Sequence, residues 1–169
     1  MTTAEASDRL HAALAALTTG IYVLTTRDGD VRHGMSSSWV TQVSGTPPLL
    51  GAAVDVGHAS HALIARSGRF ALNVVGGAAR HLEDYFYSAA SRRPDNLAAV
   101  ACETSPAGLP YLRDALASLE CAVVARHPAG DHTLFVATIT DVVLRGDDRP
   151  LTSLDLDYVY VGRVIRRAR

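Results

Sequence analysis

The segment Gly34-Met35-Ser36-Ser37-Ser38-Trp39-Val40-Thr41-Gln42-Val43-Ser44 gathers hydroxyls and one amide into a stretch without a charged side chain. Hydroxyls and backbone N–H groups in such a run suit a phosphate, or a uracil-like ring edge, held by neutral donors. The alternative is a polar, solvated barrel rim. A second candidate is His132, directly after Gly130-Asp131. At the mouth of a hairpin its imidazole can point into a site rather than a core. As a neutral ring it would hydrogen-bond a ligand, and as imidazolium it would steady developing negative charge; as a plain turn residue it would only cap its own hairpin. His58/His61 and His127/His132 lie close in sequence, but no acidic residue completes a metal-ligating pattern around them. Trp39, the sole tryptophan, reads as core first and as a cofactor-stacking ring second.

The composition removes several chemistries. All 16 basic residues are arginine, so the lysine of a P-loop, of a PLP Schiff base or of an S-x-x-K acyl enzyme is missing. No G-x-G-x-x-G follows a strand, and Ser36-Ser37-Ser38 is no G-x-S-x-G elbow. A net charge of −1 gives no field to hold nucleic acid or an anionic membrane. Two cysteines, Cys102 and Cys121, form no C-x-x-C pair; Cys121 sits in an apolar run and reads as a buried small hydrophobe. With 169 residues, 48% hydrophobic and 20% charged, the chain has the makings of one globular domain. The N-terminus lacks a basic stretch followed by an apolar one, and the uncharged run His11–Thr26 is too polar to span a bilayer, so a cytoplasmic protein is expected.

The elements that must position these groups follow from periodicity. Leu10, Ala13, Leu14 and Leu17 predict a helix over 4–17, closed by Gly20. Ile21–Thr26 is β-branched and aromatic, Asp28-Gly29 signals a hairpin, and the return strand runs through Val31 to Ser38. Pro47-Pro48 breaks the chain before the apolar strand Leu49–Val54. Short helices are expected over His58–Ser67, stopped by Gly68, and over Ala78–Tyr87, with the strand Arg69–Val75 between them. Ser88–Pro110 reads as largely loop, with a weak strand around Cys102. The longest strands, Ser118–His127 and Thr133–Leu144, are joined by the turn Pro128–Asp131, and Tyr158–Ile165 is a final strand. Roughly six to eight strands against about three short helices, with no βαβ alternation, predict a mostly β, antiparallel barrel with short flanking helices. The whole of 1–169 is expected as a single domain, with residues 1–8 a mobile N-terminus.

Five strings occur in order along nearly the whole chain: Thr19–Thr25 with Asp28-Gly29; Gly34–Ser38 leading to Gln42-Val43-Ser44 and Pro47-Pro48-Leu49; Ser67–Val74; Gly108-Leu109-Pro110 with Leu119-Glu120-Cys121; and Gly130–Leu134. Together they resemble the flavin reductase-like family, with its FMN-binding split barrel. The resemblance implies an antiparallel split β-barrel and a homodimer that binds FMN or FAD near the subunit interface. Met35, Ser36, Ser37, Ser38, Trp39, Gln42 and Ser44 would hold the isoalloxazine edge and the phosphate, with Thr25, Thr26 and Asp28 nearby. Ser67, Arg69 and Phe70 would line the other side, and His132 would face the nicotinamide of NADH or NADPH. Hydride transfer requires no acid or base, only flavin N5 and nicotinamide C4 held roughly 3–3.5 Å apart. Reduced flavin would pass to a partner flavin-dependent monooxygenase. The alternatives are an FMN-carrying electron-transfer flavoprotein fed by another protein, and a non-redox split-barrel binding protein in which Trp39 fills the ligand space.

Overall fold

The computed structural model describes residues 3–167. The helix α1 (Thr3–Ala15) comes first, so residues 3–8, expected as a mobile N-terminus, form its opening turns; residues 1 and 2 lie outside the described residues. The strands β1 (Tyr22–Asp28) and β2 (Val31–Ser37) then pair in the register Tyr22↔Ser37 to Asp28↔Val31, turning at Gly29 with φ of 60°. A left-handed φ of this kind is open to glycine at no steric cost, which is why Asp-Gly marks the hairpin.

A second pair, β3 (Val40–Gly45) and β4 (Pro48–Asp55), is followed by α2 (Ala59–Ser67) and β5 (Arg69–Val74). The His58 side chain caps α2 by accepting from the Ser60 N–H, and Gly68 closes it at φ 67°. After a short 3-10 turn comes α3 (Arg80–Tyr87). A small hairpin of β6 (Cys102–Thr104) and β7 (Pro110–Leu112) precedes the long β8 (Ala117–Ala129) and β9 (His132–Leu144). Last are β10 (Tyr158–Tyr160) and β11 (Val164–Arg166). Seven strands form one antiparallel sheet in the order β2-β1-β5-β8-β9-β4-β3, curled around its own core. The fold is the mostly β, antiparallel split barrel with short helices that the sequence led us to expect. Among the described residues no helix is long and apolar enough to cross a membrane.

Three local expectations differ. Tyr158–Ile165 is not one strand: the chain reverses around Gly162, at φ 85°, and makes the β10–β11 hairpin. The long strands extend further than composition suggested, through Ala129 and from His132, leaving Gly130-Asp131 as the reversal. The stretch Ser88–Pro110 has its expected weak strand, as β6, and differs only in the 3-10 turn at Ala89–Arg92.

Both faces of β1 are covered, so the period of two sends neighbours to different cores. Leu24 packs inside the barrel with Met35, Val54, Phe70 and Phe135. Val23 faces outward, under α3 and the following loop, with Leu82, Phe86, Leu97 and Leu112. Asn73, fully buried on β5, ties three elements together. Its Nδ2 donates to the Val23 carbonyl and to Thr25 Oγ1, both at 3.1 Å. Its Oδ1 accepts from the Leu112 N–H at 2.9 Å and the Ser118 hydroxyl at 2.7 Å. Asn96 works similarly at the outer edge of β2. Its amide accepts from the Gly34 N–H at 2.8 Å and donates to the Gly34 carbonyl at 2.7 Å. Gly34 must lack a side chain, because a Cβ there would stand 2.5 Å from the Phe86 ring.

Glu120, buried on β8, accepts from the Ser105 hydroxyl at 2.5 Å, the Thr140 hydroxyl at 2.7 Å and the Ala107 N–H at 2.8 Å. Arg69 Nη1 lies 3.6 Å away. Burial pushes its carboxyl up, but these donors and the guanidinium outweigh it and hold the group below its ordinary 4.5. A carboxylate depressed by folding stabilises the protein above about 4.5 and loses that contribution as pH falls through the lowered value. The gap in melting temperature between the parent protein and Glu120→Gln is therefore expected to narrow as pH drops below 4.5. A gap of constant size across that range would show that the charge on Glu120 contributes nothing.

Candidate functional site

One open cavity of about 250 Å³ lies where the end of β2, the start of β9, α3 and the β10 strand converge. Its polar wall is Ser36, Ser37 and Ser38, brought there by the exit of the chain from β2. Met35, Phe86, Leu156 and Val159 supply apolar surface. Opposite stands His132, the first residue of β9, in register with Asp55 of β4. Its ring lies 4.7 Å from Trp39, which in turn lies 5.4 Å from Tyr160, so three rings form a continuous aromatic wall. Trp39 is half-buried, a wall residue rather than a core one.

His132 is only 6% exposed, and its Nδ1 donates to Asp131 Oδ1 at 2.7 Å. That hydrogen bond is the main reason the Asp131 carboxyl sits below its usual range. An Nδ1–H held by a carboxylate leaves Nε2 as the nitrogen able to meet a ligand. Among the described residues Nε2 has no hydrogen-bond partner.

Further polar groups line the cavity without having been singled out from the sequence as ligand-binding, Glu83, Tyr158 and Asp55 among them. Glu83 on α3 is 2% exposed. It accepts from the Ser36 hydroxyl on one oxygen and from the Tyr158 hydroxyl, at 2.6 Å, on the other. Burial pushes its carboxyl upward, against the two hydroxyl donors. His58, considered in the sequence only as half of a metal pair, borders this cavity and a neighbouring cleft of about 440 Å³ lined also by Arg66, Arg92 and Arg93. Burial, then the nearby His33, lowers the His58 pKa. No metal-ligating cluster occurs among the described residues. The signal for Glu83 and Tyr158 lies in the pairing of distant segments, which no local pattern discloses.

The cavity gathers Met35, Ser36, Ser37, Ser38, Trp39 and His132 from the sequence-derived candidates. It does not gather the others. Thr25 and Thr26 are fully buried, their hydroxyls donating to the carbonyls of Pro110 and Arg69. Phe70 is fully buried in the barrel core. Asp28 pairs with Arg66 at 2.7 Å, Arg69 with Glu120, and the Ser67 hydroxyl donates to the Arg69 carbonyl at 3.1 Å. Gln42 and Ser44 lie on β3, the outer strand at the other edge of the sheet, with Gln42 exposed. The split follows the elements: Met35–Trp39 line the cavity together because the chain leaves β2 at Ser37, whereas the remaining candidates sit on β1, β3, β5 and the end of α2, away from it.

Residues 14–167 match the family described as flavin reductase like domain. The chain is 29% identical to a solved flavin reductase, PheA2, with a TM-score of 0.76, covering 96% of this chain and 99% of that one. It is 25% identical to BorF, the flavin reductase component of a bacterial two-component tryptophan halogenase, with a TM-score of 0.78 and the same coverage of 96% and 99%. Among curated proteins it is 34% identical over 133 residues to diflavin flavoprotein A 1 of Synechocystis sp., covering 78% of this chain. It spans only 23% of the length of that relative. The chain belongs to the flavin reductase-like family.

Proposed function

We propose that this chain is an NAD(P)H-dependent flavin reductase that transfers hydride from NADH or NADPH to FMN or FAD and supplies reduced flavin to a partner monooxygenase. The supporting observation is that the Met35–Trp39 segment and His132 share one open cavity. Its chemistry fits a flavin ring: apolar and aromatic surface for the faces, neutral hydroxyls for the edge. At about 250 Å³ it suits a ring system rather than a whole nucleotide. The phosphate-bearing tail would run past His58 toward Arg66, Arg92 and Arg93.

The bound flavin would supply the hydride acceptor. The residues here need only position and shield. Ser36, Ser37 and Ser38 hold the ring edge, Trp39 and Tyr160 keep water from one face, and His132 orients the nicotinamide through Nε2. The similarity to BorF, the reductase component of a two-component halogenase, supports a separate partner enzyme that receives the reduced flavin. Exposed Val124, Val142 and Leu144 on the long β8–β9 hairpin form apolar surface that a second copy would cover in a homodimer.

The test is steady-state NADH and NADPH oxidation, with and without added FMN or FAD, followed by nicotinamide absorbance. Saturable, flavin-dependent turnover is expected. The similarity to diflavin flavoproteins favours a second reading, an FMN-carrying electron-transfer module. A protein that purifies yellow but oxidises neither nucleotide would establish that second reading. A colourless protein that free flavin neither activates nor stabilises would overturn both.

A further inference from the structure

Glu83 is a buried carboxylate at a cavity wall that hydride transfer gives no acid–base task. Both of its oxygens are engaged by hydroxyls that themselves line the cavity: Ser36 from β2 on Oε2 and Tyr158 from β10 on Oε1. A hydroxyl has one proton and two lone pairs. With its proton committed to Glu83, each hydroxyl can meet a ligand only as an acceptor. Burial, reinforced by the adjacent carboxylate, pushes the Tyr158 phenol well above its ordinary value, so it keeps the proton it donates. Arg80 and Asp84 on the same helix are the other charged groups acting on Glu83, with opposite sign, and Tyr87 stacks on Tyr158 at 4.4 Å.

We propose that Glu83 is a positioning residue that fixes Ser36 and Tyr158 as an acceptor-only patch, which selects a ligand ring presenting an N–H donor. The inference rests on the flavin reading above. An oxidised flavin carries one such group, the imide N3–H, flanked by two carbonyls. A wall offering a donor at that point would leave the N–H unpaired, and buried unpaired groups are what make polar discrimination strong. Glu83 would thus set which ring edge enters, without touching the ring.

The probe is a pair of ligands, FMN and 3-methyl-FMN, which lacks the N–H, with dissociation constants read from flavin fluorescence quenching. The parent protein is expected to prefer FMN by about tenfold, the worth of one hydrogen bond and its desolvation. In Glu83→Gln the carboxamide nitrogen must donate to one hydroxyl, turning that hydroxyl's proton toward the cavity, and the preference is expected to fall to roughly threefold or less. Ser36→Ala and Tyr158→Phe identify the reading hydroxyl: deleting it erases the preference, while Ser36→Thr retains it. These variants also carry the test if Glu83→Gln does not fold. A residue that merely braces α3 against β10 would weaken both ligands in parallel, leaving their ratio unchanged, and that result would overturn the proposal. So would equal binding of the two flavins by the parent protein. A parent protein that binds FMN not at all fails the flavin reading itself.

Discussion

The Asn73→Ala variant is expected to melt roughly 8–15 °C below the parent, a loss of about 3–5 kcal/mol for a domain of this size. The reasoning is local. Asn73 is fully buried and makes four hydrogen bonds, two as donor and two as acceptor, to β1, β7 and β8. Truncation leaves the Leu112 N–H, on a fully buried residue, without its acceptor. It also removes the acceptor for the Ser118 proton, leaving that hydroxyl only the bond it accepts from Arg145 at 2.9 Å, and opens a polar void. Each orphaned buried group costs about 1–3 kcal/mol. Asn73→Asp would fare no better, since a carboxylate cannot donate to the Val23 carbonyl and would place a charge at a fully buried position. Thermal unfolding followed by far-UV circular dichroism measures it, and a shift under about 3 °C would mean that the network contributes little.

His132→Ala is expected to raise the KM for NADH about tenfold while leaving FMN affinity within about twofold. The imidazole is held by Asp131 on one nitrogen and by the Trp39 ring on its face, so it is fixed before a nicotinamide arrives. Losing a preorganised contact to one ligand affects that ligand's KM and not the other's dissociation constant. Asp131→Asn should lie between the two, because a carboxamide still accepts from Nδ1 without the charge. Steady-state kinetics with flavin saturating, paired with fluorescence titration of FMN, separates the terms. An unchanged KM and kcat would remove His132 from the nicotinamide contact, and a parallel loss of flavin affinity would make it part of the flavin wall instead.

What could be read from the sequence was what is local. Asp28-Gly29 and Gly130-Asp131 require left-handed glycines, so both hairpins announce themselves, and Gly68 ends α2 for the same reason. Gly162 has the same conformation, but the short strands beside it look continuous in composition, so the sequence pattern does not disclose the last hairpin. The Met35–Ser38 segment and His132 stood out because unusual residue types were concentrated there. Thr25, Thr26 and Phe70 belong to the same recognisable strings, and the structure places them in the buried sheet and core rather than at the cavity. A string preserves order along the chain, whereas a site depends on which face each residue takes. Glu83 and Tyr158 are 75 positions apart and meet only because α3 and β10 pack on the same end of the barrel.

The Asn96 amide, seated on both polar groups of Gly34, has one more consequence. β2 ends the sheet, and an uncovered outer strand is a template on which another chain can lay its own backbone. Asn96 imitates one residue of that missing neighbour and fills the position. A stretch that reads as dispensable polar loop therefore occupies, at Gly34, the backbone groups on which another chain's strand would have to pair.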